Sequence, residues 1–270
     1  MYRRIISFIT MLSLLSLVIS RHVQPVQTRH HGSRVGPVSR REDSKAVINH
    51  HLRLTKTPAS TISMLPYESK VLSCQAVGSP PPTIHWLKDG ERLIQDTLAS
   101  LQDDGNIDTL PLYGASQTRS KLFVDCITAR DEGTYTCVAE TPYSRASSDT
   151  MITVSEEELA VAEPLCLKNK LFGLPPRIYT WTRFRIELQG NDVQLFCRSS
   201  GLPKPRVTWS RSGKETPLKN GEKYIILDNG DLIIQNIIWE DMGIYTCNAQ
   251  NAFGLDTALA FLYPAKPNKK

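Results

Sequence analysis

After its first twenty residues, the sequence lacks any apolar run that approaches the ~20 residues needed to cross a bilayer as a helix. The opening segment is different. Arg3 and Arg4 precede an apolar stretch from Ile5 to Ile19, and the small residue Ser20 follows. This order is typical of a secretory signal peptide. We expect cleavage after Ser20 and a mature chain that is secreted and extracellular, without a membrane anchor.

Side chains that carry out catalysis or hold metals are also sparse. His85 has no serine or cysteine nucleophile placed beside it, and no Cys-x-x-Cys spacing supports a zinc site. The pairs His30–His31 and His50–His51 have no further residues to complete a coordination set. The sequence also contains no Asn-x-Ser/Thr acceptor for N-linked glycan. We therefore predict that the protein is not an enzyme and uses no cofactor or metal.

What the sequence does contain is one pattern of cysteine, glycine, proline and tryptophan that occurs twice. In each copy a Cys is followed by Gly-x-Pro-x-Pro and then by Trp, and the copy closes on Asp-x-Gly-x-Tyr-x-Cys. The defining positions are Cys74, Trp86, Tyr135 and Cys137 in the first copy, and Cys197, Trp209, Tyr245 and Cys247 in the second. Because several kinds of position recur in register, the pattern indicates a structural repeat.

The spacing within each copy is that of an immunoglobulin-like β-sandwich. In this fold two cysteines bridge the sheets through the core, the Trp packs against the bridge, and the Tyr turns its hydroxyl back onto the backbone at a corner. We therefore predict an all-β protein of two tandem immunoglobulin-like sandwiches, with disulfides Cys74–Cys137 and Cys197–Cys247. The predicted core residues beside the disulfides are Trp86, Trp209, Tyr135 and Tyr245.

Changes of composition mark out the domains. We assign residues 21–56 to a basic arm, 57–155 to the first domain, 156–173 to a linker, 174–264 to the second domain and 265–270 to a polar tail. The linker is too apolar to be a solvated spacer. Cys126 and Cys166 remain after the two sandwich pairs. In an oxidising compartment we expect a third bridge between them rather than two free thiols. This bridge would staple the linker to the first domain and make a packed hinge.

The basic arm is rich in arginine, lysine and histidine, and Glu42 and Asp43 are its only acidic residues. It has few large apolar side chains, so a solvated, disordered tail is one interpretation. The other is an electrostatic tether to a heparan-type polysaccharide. Nucleic acid is not an expected partner of an exported protein.

Two stretches outside the repeated pattern contain apolar residues that have no assigned place in either core. The first domain has a long insertion within residues 95–119, and long insertions in compact domains are more often functional or disordered than structural. The candidate ligand-binding residues here are Leu110, Leu112 and Tyr113 in the insertion and Leu171 and Phe172 in the linker.

The strand that enters the second domain supplies a third set of candidates. Its apolar residues of one parity, Ile178, Phe184, Ile186 and Leu188, are expected to face the core. Tyr179, Trp181, Arg183, Arg185 and Glu187 have the other parity and are expected to face out from an edge strand. Tyr, Trp and Arg are the residues enriched in binding hot spots. The alternative is that the linker or the insertion covers this row.

The second copy continues past its last Cys as Ala-x-Asn-x-x-Gly, which resembles the intermediate set of immunoglobulin domains, whereas the first copy departs from that pattern after Cys137. The basic arm, the two domains, the extra Cys pair and the Gly-x-Pro-x-Pro segments resemble the late imaginal morphogenesis family of secreted, two-domain insulin-binding proteins of insects. The resemblance covers roughly residues 57–264. It implies a protein that sequesters insulin-like and insulin-like-growth-factor peptides and so antagonises insulin receptor signalling. The alternative is a secreted adhesion or axon-guidance module that binds a cell-surface protein.

Overall fold

Alternation of buried and exposed side chains defines the strands in the computed structural model, which describes residues 50–95, 114–155, 173–213 and 216–267. In this part of the chain the regular structure is β-strand, with short 3-10 turns at Ala129–Asp131 and Trp239–Asp241. No helix among these residues is long and apolar enough to span a membrane. The prediction of an all-β fold of two sandwiches is confirmed.

The first sandwich consists of two facing sheets. Its strands are β1 (His51–Lys56), β2 (Thr61–Met64), β3 (Lys70–Ser79), β4 (Thr83–Lys88), β5 (Glu91–Arg92), β6 (Ala115–Val124), β7 (Gly133–Thr141) and β8 (Ser144–Val154). One sheet begins β1-β3-β6, and the other has the order β2-β8-β7-β4-β5. The core between them contains Cys74–Cys137 and the fully buried Trp86.

The second sandwich repeats this plan. Its strands are β9 (Leu174–Leu188), β10 (Val193–Leu195), β11 (Cys197–Leu202), β12 (Arg206–Arg211), β13 (Tyr224–Ile226), β14 (Leu232–Ile234), β15 (Gly243–Asn251) and β16 (Gly254–Ala265). Its core contains Cys197–Cys247 and the buried Trp209.

Polar atoms of the core aromatic residues find partners inside each sandwich. The indole Nε1 of Trp86 donates to Ser120 Oγ at 3.0 Å, and that of Trp209 donates to the Gly230 carbonyl at 2.8 Å. Tyr135 Oη donates to the Asp131 carbonyl at 2.7 Å, and Tyr245 makes the equivalent bond in the second domain. Burial, together with the nearby carboxylates of Asp131 and Asp89, raises the pKa of Tyr135 to about 12. Both corners therefore hold their tyrosines as neutral donors.

The two sandwiches share one sheet. β6 of the first domain pairs antiparallel with β9 of the second, from Ala115–Ser120 to residues 180–186. β9 also pairs with β11 in its first half and with β16, in parallel, in its second half. The result is an eight-stranded sheet in the order β1-β3-β6-β9-β16-β15-β12, with β11 attached to β9. The prediction that β9 is an edge strand is therefore wrong, because a strand of the other domain occupies its remaining edge.

Register shifts on both sides of β9 change which side chains face the second core. Between Arg198 and Ser199 of β11 the register shifts, so Ile178 and Trp181 both enter the core of the second domain although they are three residues apart. A second shift, opposite Gln117 and Thr118, leaves Arg183 without a cross-strand partner on β6. Simple alternation fails at these two bulges.

The outcome for the four predicted core residues of β9 is mixed. Ile178 is 2% exposed, as the alternation predicts. Phe184 and Ile186 are only half-buried, because they follow the bulge at Arg183 and pair with β16 residues that point outward. Leu188 is 41% exposed, so its predicted place in the core is wrong.

The first strand lies inside the segment that the sequence assigned to the basic arm. His51–Lys56 pair with β3, and Leu52 and Leu54 pack against the core of the first domain. The first domain therefore begins at or before residue 51 rather than at 57. The sequence did not indicate this strand, because its alternation of two leucines is short and lies among basic residues.

A close approach of backbone to side chains fixes the junction between β6 and β9. Gly114, just before β6, has φ +80°, and a Cβ there would lie 2.4 Å from the Ile186 carbonyl and 2.6 Å from Glu187 Oε2. Beneath it Arg185 Nη2 donates to Glu187 Oε2 at 2.6 Å, and both side chains are almost completely buried. Burial lowers the pKa of Arg185 to about 10, and the charge of Glu187 opposes that shift. The junction is thus a packed polar contact.

Replacing Gly114 tests this close approach. We expect Gly114→Ala to reduce the free energy of unfolding by about 1–3 kcal/mol more than Gly190→Ala, because a side chain at Gly114 overpacks the junction. Gly190 is a matched control, since it also has positive φ (+92°) and a Cβ added there would meet no atom within 4 Å. Chemical denaturation of both variants measures the difference. Equal losses would contradict a tight junction at this residue.

Candidate functional site

The row predicted to face outward on β9 is not available to a ligand. Tyr179 is 7% exposed and Trp181 is 8% exposed, so the expectation that they form a surface hot spot is wrong. Alternate side chains of a strand point to opposite faces, and here both faces are covered. Trp181 packs in the core of the second domain, while Thr180 Oγ1 donates to Ser120 Oγ, the hydroxyl that accepts the Trp86 bond. Of the predicted row, only Arg183 is exposed, and the expectation that Arg185 and Glu187 face out is wrong because they form a buried ion pair.

Several other predicted residues lie outside the described part of the chain. These are Leu110, Leu112, Tyr113, Leu171, Phe172 and Cys166. Their roles stay predictions. Cys126 is disulfide-bonded, and the two described disulfides use the other four cysteines of the described residues. The pairing of Cys126 with Cys166 stays a prediction as well.

A cleft of about 580 Å³ lies between the two domains. Leu122, Phe123 and Tyr135 line it from the first domain, and Leu174 and Leu202 line it from the second. This volume lies in the range of ~300–1,000 Å³ that is typical of small-molecule pockets. A stable protein partner needs a wider contact surface, of ~800 Å² on each side.

One ion pair in this cleft joins the two domains. Arg177 of β9 forms an ion pair with Asp125, and its guanidinium lies 4.8 Å from the centre of the Phe123 ring. Because these groups are already paired, the cleft is better described as a domain contact than as a recognition site.

The outer face of the second domain carries a contiguous group of large apolar side chains. We call it the aromatic face. It consists of Phe184, Trp239, Ile244, Leu259, Phe261 and Tyr263. Phe184 stacks on Phe261 with ring centres 5.7 Å apart, and Trp239 meets Tyr263 edge to face at 5.9 Å. Contiguous exposed apolar patches of this kind mark interaction sites.

Cross-strand pairing aligns this surface. Phe261 pairs with Phe184 of β9 on one side and with Ile244 of β15 on the other. Leu259 is 51% exposed and Ile244 is 41% exposed, whereas the intervening Ala258 and Ala260 of β16 face the core. Leu259, Phe261 and Tyr263 of β16 therefore lie on the outer face, whereas Ala258, Ala260 and Leu262 lie on the inner face.

Sequence reasoning missed the aromatic face. In β16 residues of both parities are apolar, so periodicity alone does not say which set faces solvent. One signal was available. The inner set includes two alanines beside Leu262, whereas the outer set is Leu259, Phe261 and Tyr263, and an outer set with this much aromatic surface is unusual for a sandwich strand.

The aromatic face is continuous with the first domain. Phe184 pairs with Gln117 of β6, and Gln117 pairs with Val77 of β3, whose partner is Arg53 of β1. Residues directly opposite each other on paired strands lie on the same face of a sheet. One face of the shared sheet therefore runs from apolar in the second domain to basic in the first. This continuous surface is suited to binding.

The described residues contain no group of three or more His, Cys, Asp and Glu that could hold a metal ion.

Comparison with known proteins gives a consistent result. An immunoglobulin domain model matches residues 53–141, and an immunoglobulin I-set domain model matches residues 176–263. The chain is 33% identical over 214 residues to Zwei Ig domain protein zig-2 of Caenorhabditis elegans, covering 79% of this chain and 85% of that protein. It is 30% identical over 214 residues to neural/ectodermal development factor IMP-L2 of Drosophila melanogaster, covering 79% and 76%.

A solved structure shows the same arrangement of the chain. The crystal structure of neural ectodermal development factor IMP-L2 aligns with a TM-score of 0.61 at 26% sequence identity. The alignment covers 80% of this chain and 95% of that structure. The similarity therefore extends over both domains.

The burial of Trp181 leads to a prediction about stability. We expect Trp181→Ala to reduce the free energy of unfolding by about 3–5 kcal/mol, because it opens a cavity in the second core. Arg183→Ala, two residues away and exposed, should change it by less than about 0.5 kcal/mol. Urea denaturation followed by fluorescence measures both. A Trp181 variant as stable as the parent would show that this ring is not part of the core.

Proposed function

We propose that this chain, which belongs to the family of two-immunoglobulin-domain proteins that includes neural/ectodermal development factor IMP-L2 and the Zwei Ig domain proteins, is a secreted protein that binds an insulin-like peptide. The family is one of non-enzymatic binding proteins, and the chain acts by binding rather than by catalysis. Capture of the peptide outside the cell would withhold it from its receptor and antagonise insulin signalling.

The sequence pattern and the family membership support this proposal. The first twenty residues have the pattern of a secretory signal. The disulfides of both sandwiches suit an oxidising compartment. The similarity to the insect family, which the two domains, the extra Cys pair and the Gly-x-Pro-x-Pro segments indicate, extends over 76% of the length of IMP-L2.

The aromatic face is the observation on which the proposal rests. Insulin-family peptides present a small apolar surface of aromatic and aliphatic residues to their receptor, and a competitor needs a complementary patch. Protein interfaces have an apolar centre enriched in Tyr, Trp and Phe and a polar rim. Phe261, Tyr263 and Trp239 provide such a centre, and Ile244 and Leu259 enlarge it.

The position of this surface on a sheet favours affinity. Apart from Trp239, which lies in a 3-10 turn, its side chains project from strands that are paired on both sides, and the Phe184–Phe261 stack joins β9 to β16. Binding to a rigid surface avoids part of the entropy loss that ordering a loop would require. We infer sequestration by a preformed surface that covers the residues with which the peptide contacts its receptor.

A second function, binding of a cell-surface protein in adhesion or axon guidance, is favoured by the position of the aromatic face on paired strands of one sheet. A sheet face suits a partner domain as readily as it suits a small peptide. The two functions differ in which partner competes for the aromatic face.

We expect the double variant Ile244→Ala/Leu259→Ala to weaken binding of an insulin-like peptide by about 1–2 kcal/mol or more, because it removes apolar contact area beside the aromatic centre of the patch. The matched control is Leu65→Ala/Met151→Ala in the first domain, whose side chains are 47% and 44% exposed. Calorimetric titration with a panel of insulin-family peptides measures affinity, and thermal denaturation checks the fold of each variant.

The outcomes separate the function from the site. No binding of any peptide by the parent protein at micromolar concentration would refute the insulin-like partner. Binding that is unchanged in the double variant would refute the aromatic face as its site while leaving the function standing.

A further inference from the structure

The half of the shared sheet face that belongs to the first domain is basic. We call it the basic face, and it consists of Arg53, Lys56, Arg119 and Lys121 of the first domain together with Arg183 of the adjoining strand β9. A row of cross-strand neighbours, one on each of four strands, runs through the centre of this face. Lys56 pairs with Gln75, Gln75 pairs with Arg119, and Arg119 pairs with Trp181. Lys121 is two residues further along β6 and so points to the same side.

Nothing in the described part of the chain neutralises these cations. The described ion pairs involve other residues, and Asp125, which follows the last residue of β6, pairs with Arg177. Arg119 has a lowered pKa, owing first to burial and then to the positive charge of Arg183. Among the described residues, like charges are therefore gathered on one side of the sheet without an ion-pair partner.

The centre of the basic face is ordered. Arg119 donates from Nε and Nη2 to Gln75 Oε1 at 3.0 and 2.6 Å, and Gln75 Nε2 donates to Thr55 Oγ1 at 2.9 Å. The guanidinium of Arg119 and the ammonium of Lys121 lie 5.6 and 5.3 Å from the centre of the Trp181 ring. Trp181, although buried, thus positions two cations that face solvent.

We propose that the basic face binds a sulfated linear polysaccharide of the extracellular matrix, of the heparin class. Neighbouring strands are ~4.8 Å apart and alternate residues of a strand ~6.8 Å apart, so the cations form an elongated, regularly spaced array that suits a chain of repeated sulfates. Clustered like charge attracts polyanions at a distance.

This site is distinct from the tether expected of the basic arm, because it is built from paired strands of the folded domain. The arm leads directly into it, since β1 carries Arg53 and Lys56 at the end of the same basic segment. The proposal does not depend on the binding of an insulin-like peptide.

Heparin binding by the full mature protein tests the proposal. We expect Lys56→Gln/Lys121→Gln to weaken heparin affinity about 10-fold at low salt and to reduce the slope of log K against log salt by ~1–2, because two counterion-releasing contacts are lost. The control Arg206→Gln/Lys219→Gln removes the same charge from exposed positions of the second domain and should change affinity less than about 2-fold. Arg119→Gln, checked for its melting temperature, gives an independent second variant.

Three outcomes would overturn the proposal. The test and control variants could lose heparin affinity equally, which would indicate general electrostatics alone. Heparin affinity could respond only to Arg40→Gln/Arg41→Gln, which would assign the binding to the arm. Phosphatidylserine vesicles could bind as tightly as heparin with the same dependence on Lys56 and Lys121, which would assign the face to anionic membranes.

Discussion

Backbone pairing between β6 and β9 is the interaction on which the rest of this structure depends. Tandem sandwiches joined by a linker alone would each present a separate set of faces. Here the edge of the first sheet finds its partner in the entering strand of the second domain, and eight strands become one surface. The pairing covers an exposed edge in each domain. It also places the basic and the aromatic faces side by side, with Gln117 opposite Phe184 at their boundary.

The contacts that accompany this pairing are largely polar, and this determines the register. Thr180 reaches Ser120, which in turn receives the indole of Trp86, so the junction is joined to the core of the first domain by hydroxyl groups. Arg185 and Glu187 form a buried pair beneath Gly114. A slip of one residue would leave these groups buried without partners, and an unpaired buried charge is far more destabilising than a lost apolar contact.

The fold of each sandwich could be predicted from the sequence, but the strand pairing that joins the two domains could not. Cysteine, Trp and Tyr spacing predicted the two folds because those residues interact within one domain. β9 was misassigned because its local alternation cannot reveal a strand of another domain on its second edge, and because bulges beside Tyr179 and at Arg183 change its parity. The aromatic face was missed for a related reason. In β16 both parities are apolar, and the choice between them depends on packing against the disulfide, where Ala258 and Ala260 fit.

The shared strand also bears on how such a protein is inherited. An immunoglobulin domain that folds independently can be duplicated or recombined on its own, because it has its own hydrophobic core. A recombination point in the linker of this chain would separate β6 from β9 and strip Trp181 of the cations above it. The shared sheet therefore forms only where both domains are inherited together as one module.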